Sequence, residues 1–341
     1  MSMKLSQIIG VAGASALLFC PSSSTAFAGA ASISHSRDTN SCANMAGAAQ
    51  QYSTTRLSAS SSNIGLEFPK ATSVRPGESP EEEQILLNPI DASCTVLVVG
   101  ANRGIGIEFV KQCLEKGATV VATHRSKEIP TSLEEIREND DYAKRLLTIQ
   151  MDLEYEDSIA DAAKQLKSRE DVLPLTHIIH NAGIYLSGAS FDGTARAKRA
   201  AAPKVTRDVM LRTFAINSIA PLLVAQSFVP LLGKRSETLY PVIAFLSSKV
   251  GSVDDNGSGG AYAYRSSKSA LNNIAKSLSI DLADEARVVL LHPGWVRTDM
   301  TNGNGLIDTD ECVSGLLKAI EATDASTAFR FVDYKACQIP W

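Results

Sequence analysis

At 341 residues the chain could hold two domains, but its first ninety or so residues differ in composition from the rest, leaving about 250 residues for one domain with an ample core. A formal charge of −4 and a pI near 5.8 give no dominant positive field, which excludes nucleic acid as the expected partner and leaves small molecules. Six cysteines, Cys20, Cys42, Cys94, Cys113, Cys312 and Cys337, fall at irregular spacings with no Cys-x-x-Cys and no Cys/His cluster, so neither a disulfide framework nor a metal site is expected.

Taken in chain order, residues 1–75 read as a targeting leader. Lys4 precedes the apolar stretch Ile8–Cys20, and small residues follow around Ala26-Phe27-Ala28, a signal-peptide layout. The stretch is about 13 residues, short of the ~20 that span a bilayer, so no stable membrane span is expected in the mature form. An uncleaved anchor is the alternative. Ala31–Leu66 is rich in Ser, Thr and Ala, with Arg37 and Arg56 and a single acid, Asp38, as in organellar transit peptides. A signal peptide running into such a segment, with Phe27 at the junction, resembles the bipartite plastid leaders of algae with secondary plastids. The expected address is therefore a plastid, with mitochondria or the secretory pathway as alternatives. Residues 76–93, with Glu78, Glu81, Glu82 and Glu83 beside Pro76 and Pro80, read as an acidic linker, and 94–341 as the folded domain.

In that domain strands and helices alternate. A β-branched run, Thr95–Val99, ends at Gly100, and Ile105, Phe109, Val110, Cys113 and Leu114 then recur at helical spacing until Gly117. Cys113 on that helix reads as a buried, inert thiol. The pattern predicts strands at Thr119–Thr123, Leu147–Met151, Leu175–His180, Val242–Leu246 and Arg287–Leu291. It predicts helices at Ser132–Leu146, Glu156–Lys167, Lys204–Leu232 and Ala261–Ala283. Alternation of this kind gives an α/β fold, a Rossmann-like doubly wound parallel sheet with helices on both faces in a single domain.

Glycines at 100, 104 and 106 follow the first strand and open a helix, which lets backbone amides and a helix N-terminus approach a dinucleotide pyrophosphate. Their spacing, Gly-x-x-x-Gly-x-Gly, departs from the commoner Gly-x-Gly-x-x-Gly. Where an NAD-binding chain carries a carboxylate for the ribose hydroxyl, the second strand here runs into His124-Arg125. Arg125 and Arg103 suit a 2′-phosphate, so NADP(H) is preferred, with NAD(H) as the alternative. Farther on, Tyr264 and Lys268 stand four apart on one helix face. An ammonium beside a phenol stabilises the phenolate and lowers its pKa, making a general acid and base.

Gly100-Ala-Asn-Arg-Gly-Ile-Gly106, Asp152-Leu153, His180-Asn181-Ala182-Gly183, Phe214-Ala-Ile-Asn217, Leu246-Ser247-Ser248, Tyr264 to Lys268 and Pro293-Gly-Trp-Val-Arg-Thr298 occur in that order. On these motifs residues 94–341 resemble a short-chain dehydrogenase/reductase. The resemblance implies Asn217, Ser248, Tyr264 and Lys268 as the catalytic set. Tyr264 would protonate the carbonyl oxygen, Lys268 tune it and bind the nicotinamide ribose, and Ser248 hold the carbonyl. Asn217 would kink its helix and hold a water leading from Lys268 to solvent. Asn181 would brace the sheet and Thr298 bind the carboxamide. With Arg103 and Arg125 added from the reading above, the expected cofactor-binding set is Gly100, Asn102, Arg103, Gly104, Ile105, Gly106, Arg125, Asp152, Leu153, Asn181, Ala182, Gly183, Tyr264, Lys268, Pro293, Gly294, Val296 and Thr298. His180 departs from the pattern, standing where a second Asn is usual.

The segment between Ser248 and Tyr264 is longer than is common in the family and includes Gly251–Gly260. With the Gln338-Ile-Pro-Trp341 segment, it makes the chain similar to the C-factor and sniffer-like carbonyl reductase branch. That branch implies NADPH-dependent reduction of a small-molecule carbonyl and, through the helices carrying Asn217 and Tyr264, a homodimer or homotetramer. The alternatives are an NAD-dependent alcohol dehydrogenase, a 3-oxoacyl-carrier reductase and a dinucleotide-sensing module with little turnover. The basic run Arg196, Lys198, Arg199, Lys204 and Arg207 reads as a solvated loop, or as a rim that greets an acidic substrate. Trp295 and Trp341 are expected to pack, the first against the cofactor-side loop and the second onto the domain or a partner subunit.

Overall fold

Strands β1 (Thr95–Val99), β2 (Thr119–His124), β3 (Leu146–Gln150), β4 (His177–His180), β5 (Val242–Leu246), β6 (Arg287–His292) and β7 (Phe331–Asp333) form one parallel sheet in the order β3-β2-β1-β4-β5-β6-β7. The computed structural model describes residues 88–187, 189–196, 200–234, 240–323 and 327–341. The expected leader, most of the acidic linker, and Lys198 and Arg199 of the basic run lie outside the described residues.

The central strands are near-continuous apolar runs because both sheet faces are covered. Side chains alternate along each strand, so Val96 and Val98 enter one core and Leu97 and Val99 the other. The first core is closed by Phe109, Val110 and Leu114 of α1 (Gly104–Glu115) and by Val313, Leu316 and Ile320 of a helix at Thr309–Glu321. The second is closed by Ile159 and Leu166 of α4 (Glu156–Lys167), Val224 and Phe228 of α6 (Ala220–Phe228), and Leu271 and Ala275 of α7 (Tyr262–Asp281). From β1 the chain winds outward through β2 to β3, then returns and winds the other way from β4. A crevice therefore opens at the carboxyl ends of β1 and β4, where doubly wound sheets place their ligands.

Several boundaries differ from those expected. The helix predicted over Ser132–Leu146 is two, α2 (Thr131–Arg137) and α3 (Asp140–Ala143). Asn139 divides them, its side chain accepting from the Asp141 and Tyr142 amides at 3.0 and 3.3 Å as a new cap. The helix predicted from Lys204 begins at Arg207 behind a Thr206 cap, runs as α5 (Arg207–Phe214), widens into a π turn over Ala215–Ile219 and continues as α6. The predicted strand Leu175–His180 is ordered as β4 only from His177. The helix at Thr309–Glu321 (α8) and the strand β7 were not expected. Half of the most apolar window in Arg207–Leu231, a run long and apolar enough to cross a membrane, is buried within this domain.

Cys113 is fully buried on α1 and its thiol is pushed up to about 12, the inert state its position predicts. His177 and His180 are also fully buried. Loss of water lowers them from 6.5 to about 4 and about 3, respectively. Because their folded pKa lies below the unfolded value, the unfolded chain takes up more protons below pH ~6.5, and stability falls as pH drops toward ~4. Each histidine is expected to cost about 3 kcal/mol by the bottom of that window. His180→Asn should flatten thermal stability against pH over this range; an unchanged slope would refute the account.

Candidate active site

The turn from β1 into α1 is built on close approach. Gly100 (φ +79°) and Gly104 (φ +55°) take left-handed conformations that favour glycine. A Cβ on Gly106 would stand 2.0 Å from the Gly100 carbonyl oxygen. The Asn181 amide donates to that carbonyl at 2.8 Å, and the Gly100 amide donates to the Thr123 hydroxyl at 3.2 Å, so β2 and β4 both clamp the turn. No side chain caps α1, and Arg103 stands at its cap with an extended backbone. The start of the helix thus offers amides and a positive dipole end toward the crevice, the donor set that an anionic pyrophosphate fits.

An open cleft of about 510 Å³ runs from this turn across the carboxyl ends of the strands. It is lined by Gly100, Asn102, Arg103, Gly104 and Ile105, by Arg125 after β2, and by Asp152 and Leu153 after β3. Asn181, Ala182 and Gly183 after β4, Tyr264 and Lys268 of α7, and Pro293 and Thr298 after β6 complete the expected lining. Gly106, Asn217, Ser248, Gly294 and Val296 stand outside that lining. The Gly106 backbone supports the turn, and the Val296 side chain belongs to the core. At Gly294 a Cβ would meet the Tyr334 ring at 3.0 Å, so this glycine serves packing of the loop.

Left-handed Ala261 (φ 46°), whose amide donates to the Ala189 carbonyl at 2.8 Å, turns the chain into α7 and puts Tyr264 on its first turn. Lys268, one turn on, is buried, with Nζ 5.8 Å from the Tyr264 ring centroid and donating to the Leu246 carbonyl at 2.8 Å. Ser248 hydrogen-bonds the phenol, while Ser247, which also lines the cleft, donates to Asn272 Oδ1 at 2.5 Å. The expected tuning of Tyr264 is reversed in this structure. Loss of water around the half-buried Tyr264 pushes its phenol up to about 12 against the pull of Ser248, and burial lowers Lys268 to about 8. Desolvation outweighs mutual stabilisation because both charged forms have lost water while the Lys268 hydrogen bond goes to a carbonyl.

Asn217 lies within the π turn between α5 and α6. Its amide donates to the Ile184 carbonyl at 2.9 Å and to the Ser267 hydroxyl at 3.1 Å, while its Oδ1 accepts from the Ile184 amide at 2.8 Å. The side chain thus fastens the segment after Asn181-Ala-Gly to α7. Asn217 Oδ1 and Lys268 Nζ each lie 3.4 Å from the point where a Cβ on Gly183 would stand, so the missing side chain keeps the two groups close.

The family model described as short chain dehydrogenase matches residues 94–306, more than half of the chain. The chain belongs to the short-chain dehydrogenase family. It is 44% identical over 133 residues to the C-signal of Myxococcus xanthus, a match covering 39% of this chain and 78% of that protein. The carbonyl reductase Sniffer of D. melanogaster superposes with a TM-score of 0.62 at 29% identity, covering 72% of this chain and 99% of that one. An NADPH-bound carbonyl reductase from chicken fatty liver superposes at 0.61 and 30% identity, covering 72% and 98%. The resemblance to the carbonyl reductase branch drawn from the sequence holds.

This short-chain dehydrogenase also lines its cleft with residues that pattern reading missed, among them Thr123, Ile184, Asp299 and Met300. Tyr185 packs edge-on against Tyr264, ring centroids 5.1 Å apart, and is itself partly exposed. An aromatic two residues beyond Asn-Ala-Gly was the available signal for it. Arg103 is paired with Asp299 at 2.8 Å, both exposed, which links the glycine turn to the loop after β6. Asp152 accepts from the Glu154 amide at 3.0 Å and so shapes the adenine-side loop. In the basic run, Arg196 pairs with Asp192 and lies over the Phe191 ring. Trp295 is exposed, contrary to expectation, because its main-chain oxygen, accepting from Leu306 at 2.6 Å, joins the loop while its ring points outward. Among the described residues no group of three His, Cys, Asp or Glu could hold a metal ion.

Proposed function

We propose that this oxidoreductase is an NADPH-dependent carbonyl reductase that converts an aldehyde or ketone to an alcohol. The observation that carries the reading is a protonated phenol, bonded to Ser248 and backed by Lys268, at the end of a cleft that begins at an uncapped helix N-terminus. The names of the similar proteins support it, since those superposing over nearly their whole length include carbonyl reductases, one of them NADPH-bound. When bound, the reduced nicotinamide supplies a hydride to the carbonyl carbon. Tyr264 donates its proton to the carbonyl oxygen as charge develops there, and Ser248 steadies that oxygen by a hydrogen bond. Lys268 supplies a positive charge beneath the phenol. Asn217 holds the Ile184 backbone and keeps the space beside Lys268 open toward the cleft. Gly100, Asn102, Gly104 and Ile105 would cradle the pyrophosphate, with Asp152, Leu153, Asn181 and Ala182 along the adenosine half and Pro293 and Thr298 near the carboxamide.

NADP(H) preference rests on Arg125 and Arg103, with no carboxylate at the end of β2. Charge-assisted bonds to phosphate contribute roughly 1.5–3 kcal/mol each, about ten- to a hundredfold in affinity. The double variant Arg103→Ala, Arg125→Ala is therefore expected to lose most of its NADPH preference while retaining NADH binding. Measured Kd values whose NADPH-to-NADH ratio stays at wild type would sink the assignment. The direct test follows nicotinamide absorbance for a protein beginning near Leu87, against aldehydes, diketones and quinones with each cofactor. Turnover with NADPH supports the reductase. Turnover only with NAD and an alcohol would replace it by the oxidative reading.

The same proposal places residues 1–75 as a cleavable leader to a plastid, on composition alone. Imaging that segment fused to a fluorophore checks it, and retention in the secretory pathway would overturn it.

A further inference from the structure

The loop between Ser248 and Tyr264 has bonds of its own, among them the Lys249–Asp255 ion pair at 3.5 Å, and is also held by elements outside it. A tight turn over Lys249–Gly251 docks on α7 through Ser269, whose hydroxyl donates to the Gly251 carbonyl at 2.6 Å, and Arg265, which donates to the Val250 carbonyl at 3.0 Å. The fit is close, since a Cβ on Gly251 would come within 2.6 Å of the Lys268 Cβ. The position of this turn therefore sets Ser248, at its entrance, against Tyr264 and Lys268. Beyond the turn the chain is held from a distant part of the sequence. The Trp341 main-chain oxygen accepts from the Ser252 hydroxyl at 3.1 Å and from the Asp254 amide at 2.9 Å. Ser252 is buried, and its own oxygen accepts from the Asp255 amide at 3.0 Å.

The Trp341 ring fixes that oxygen in place. It stacks on Phe329 at 5.4 Å with the planes 11° apart and lies 6.0 Å from Phe331, a fully buried residue of β7. Lys276 of α7 covers Phe329 with its Nζ 5.3 Å from the ring centroid. Between the two aromatic anchors, Ile339 is buried and its amide donates to the Phe331 carbonyl at 2.8 Å. We propose that Trp341 is a positioning residue for proton transfer. Its stacked ring fixes a main-chain oxygen that holds Ser252 and Asp254, and through them the turn that aligns Ser248 with Tyr264. Neither Trp341 nor its contacts reach the glycine turn, so the brace acts on the proton-donating end of the cleft and not on dinucleotide binding.

The inference rests on the carbonyl reductase reading for its kinetic consequence, but not for its structural one. In the whole protein, Trp341→Ala is expected to lower kcat about ten- to a hundredfold, the scale set by small misplacements of reacting groups. NADPH affinity should stay at wild type. Trp341→Phe, which can still stack on Phe329, should recover most of the rate. Amide hydrogen exchange at Asp254 and Gly251 should accelerate in the alanine variant, with β1 and α1 unchanged. If Trp341→Ala does not fold, Ser252→Ala removes one of the two bonds to the same oxygen and should give a smaller fall in kcat at constant NADPH affinity. Parallel losses of kcat and NADPH affinity, equal impairment of the alanine and phenylalanine variants, or an unchanged kcat would each overturn the proposal. Should the wild type reduce no carbonyl, the function reading fails and exchange alone decides the brace: unaltered protection at Asp254 in Trp341→Ala then disproves it.

Discussion

Tyr264→Phe is expected to lower NADPH-dependent carbonyl reduction about 10³-fold, the middle of the range for a positioned general acid. NADPH affinity should be unchanged. The substitution keeps the ring that packs edge-on against Tyr185 and removes only the hydroxyl bonded to Ser248, so folding should be spared. Stopped-flow titration and steady-state rates on one preparation separate the two effects. A rate within about tenfold of wild type would remove Tyr264 from the proton-donating role. The pH profile gives a second check. With the phenol pushed up to about 12, the acid is protonated throughout the neutral range and cannot produce an alkaline limb near pH 8. Lys268, lowered to about 8, is charged below that value and neutral above it, so reduction is expected to be level below about pH 8 and to decline above it. A profile level to about pH 10 would show that the Lys268 charge is not required.

Gly106→Ala is expected to remove dinucleotide binding and to destabilise the domain by about 3 kcal/mol or more, the upper part of the range for overpacking. The added methyl would meet the Gly100 carbonyl oxygen at 2.0 Å and Asn181 Nδ2 at 2.6 Å. Neither neighbour can yield cheaply. Gly100 is held in its left-handed conformation against Ala182, and Asn181 is bonded to the same carbonyl. Gly257→Ala is the matched control, because nothing lies within 4 Å of its added Cβ, and its effect should stay within about 0.5 kcal/mol. Thermal unfolding and NADPH titration of both variants test the contrast. A Gly106→Ala protein that binds NADPH as wild type does would show that the turn relaxes and that its tightness is not what binding needs.

The doubly wound sheet was legible because its signals are local. Apolar runs such as Val242–Leu246 alternate with helical periodicity such as Ile105 to Leu114, and parallel strands joined by helices have few arrangements open to them. The glycine turn, Asn181, Tyr264 and Lys268 were legible for the same reason, since each depends on residue types at fixed short spacing. The strand β7 was not, because three residues carry no periodicity and become a strand only by pairing with β6. The break at Asn139 followed from a side-chain cap that competes with helix continuation. Cys312, Val313, Leu316 and Ile320 of α8 do stand at helical spacing in the sequence. By itself, then, the sequence determined the fold class, the family and part of the cleft lining. Only the tertiary structure decided how those groups are charged and held. Desolvation of Tyr264 and Lys268, the pairing of Arg103 with Asp299, and the hold of Trp341 on the Ser252 loop all depend on residues far apart in the chain, and burial and contact at that range are properties of the packed molecule.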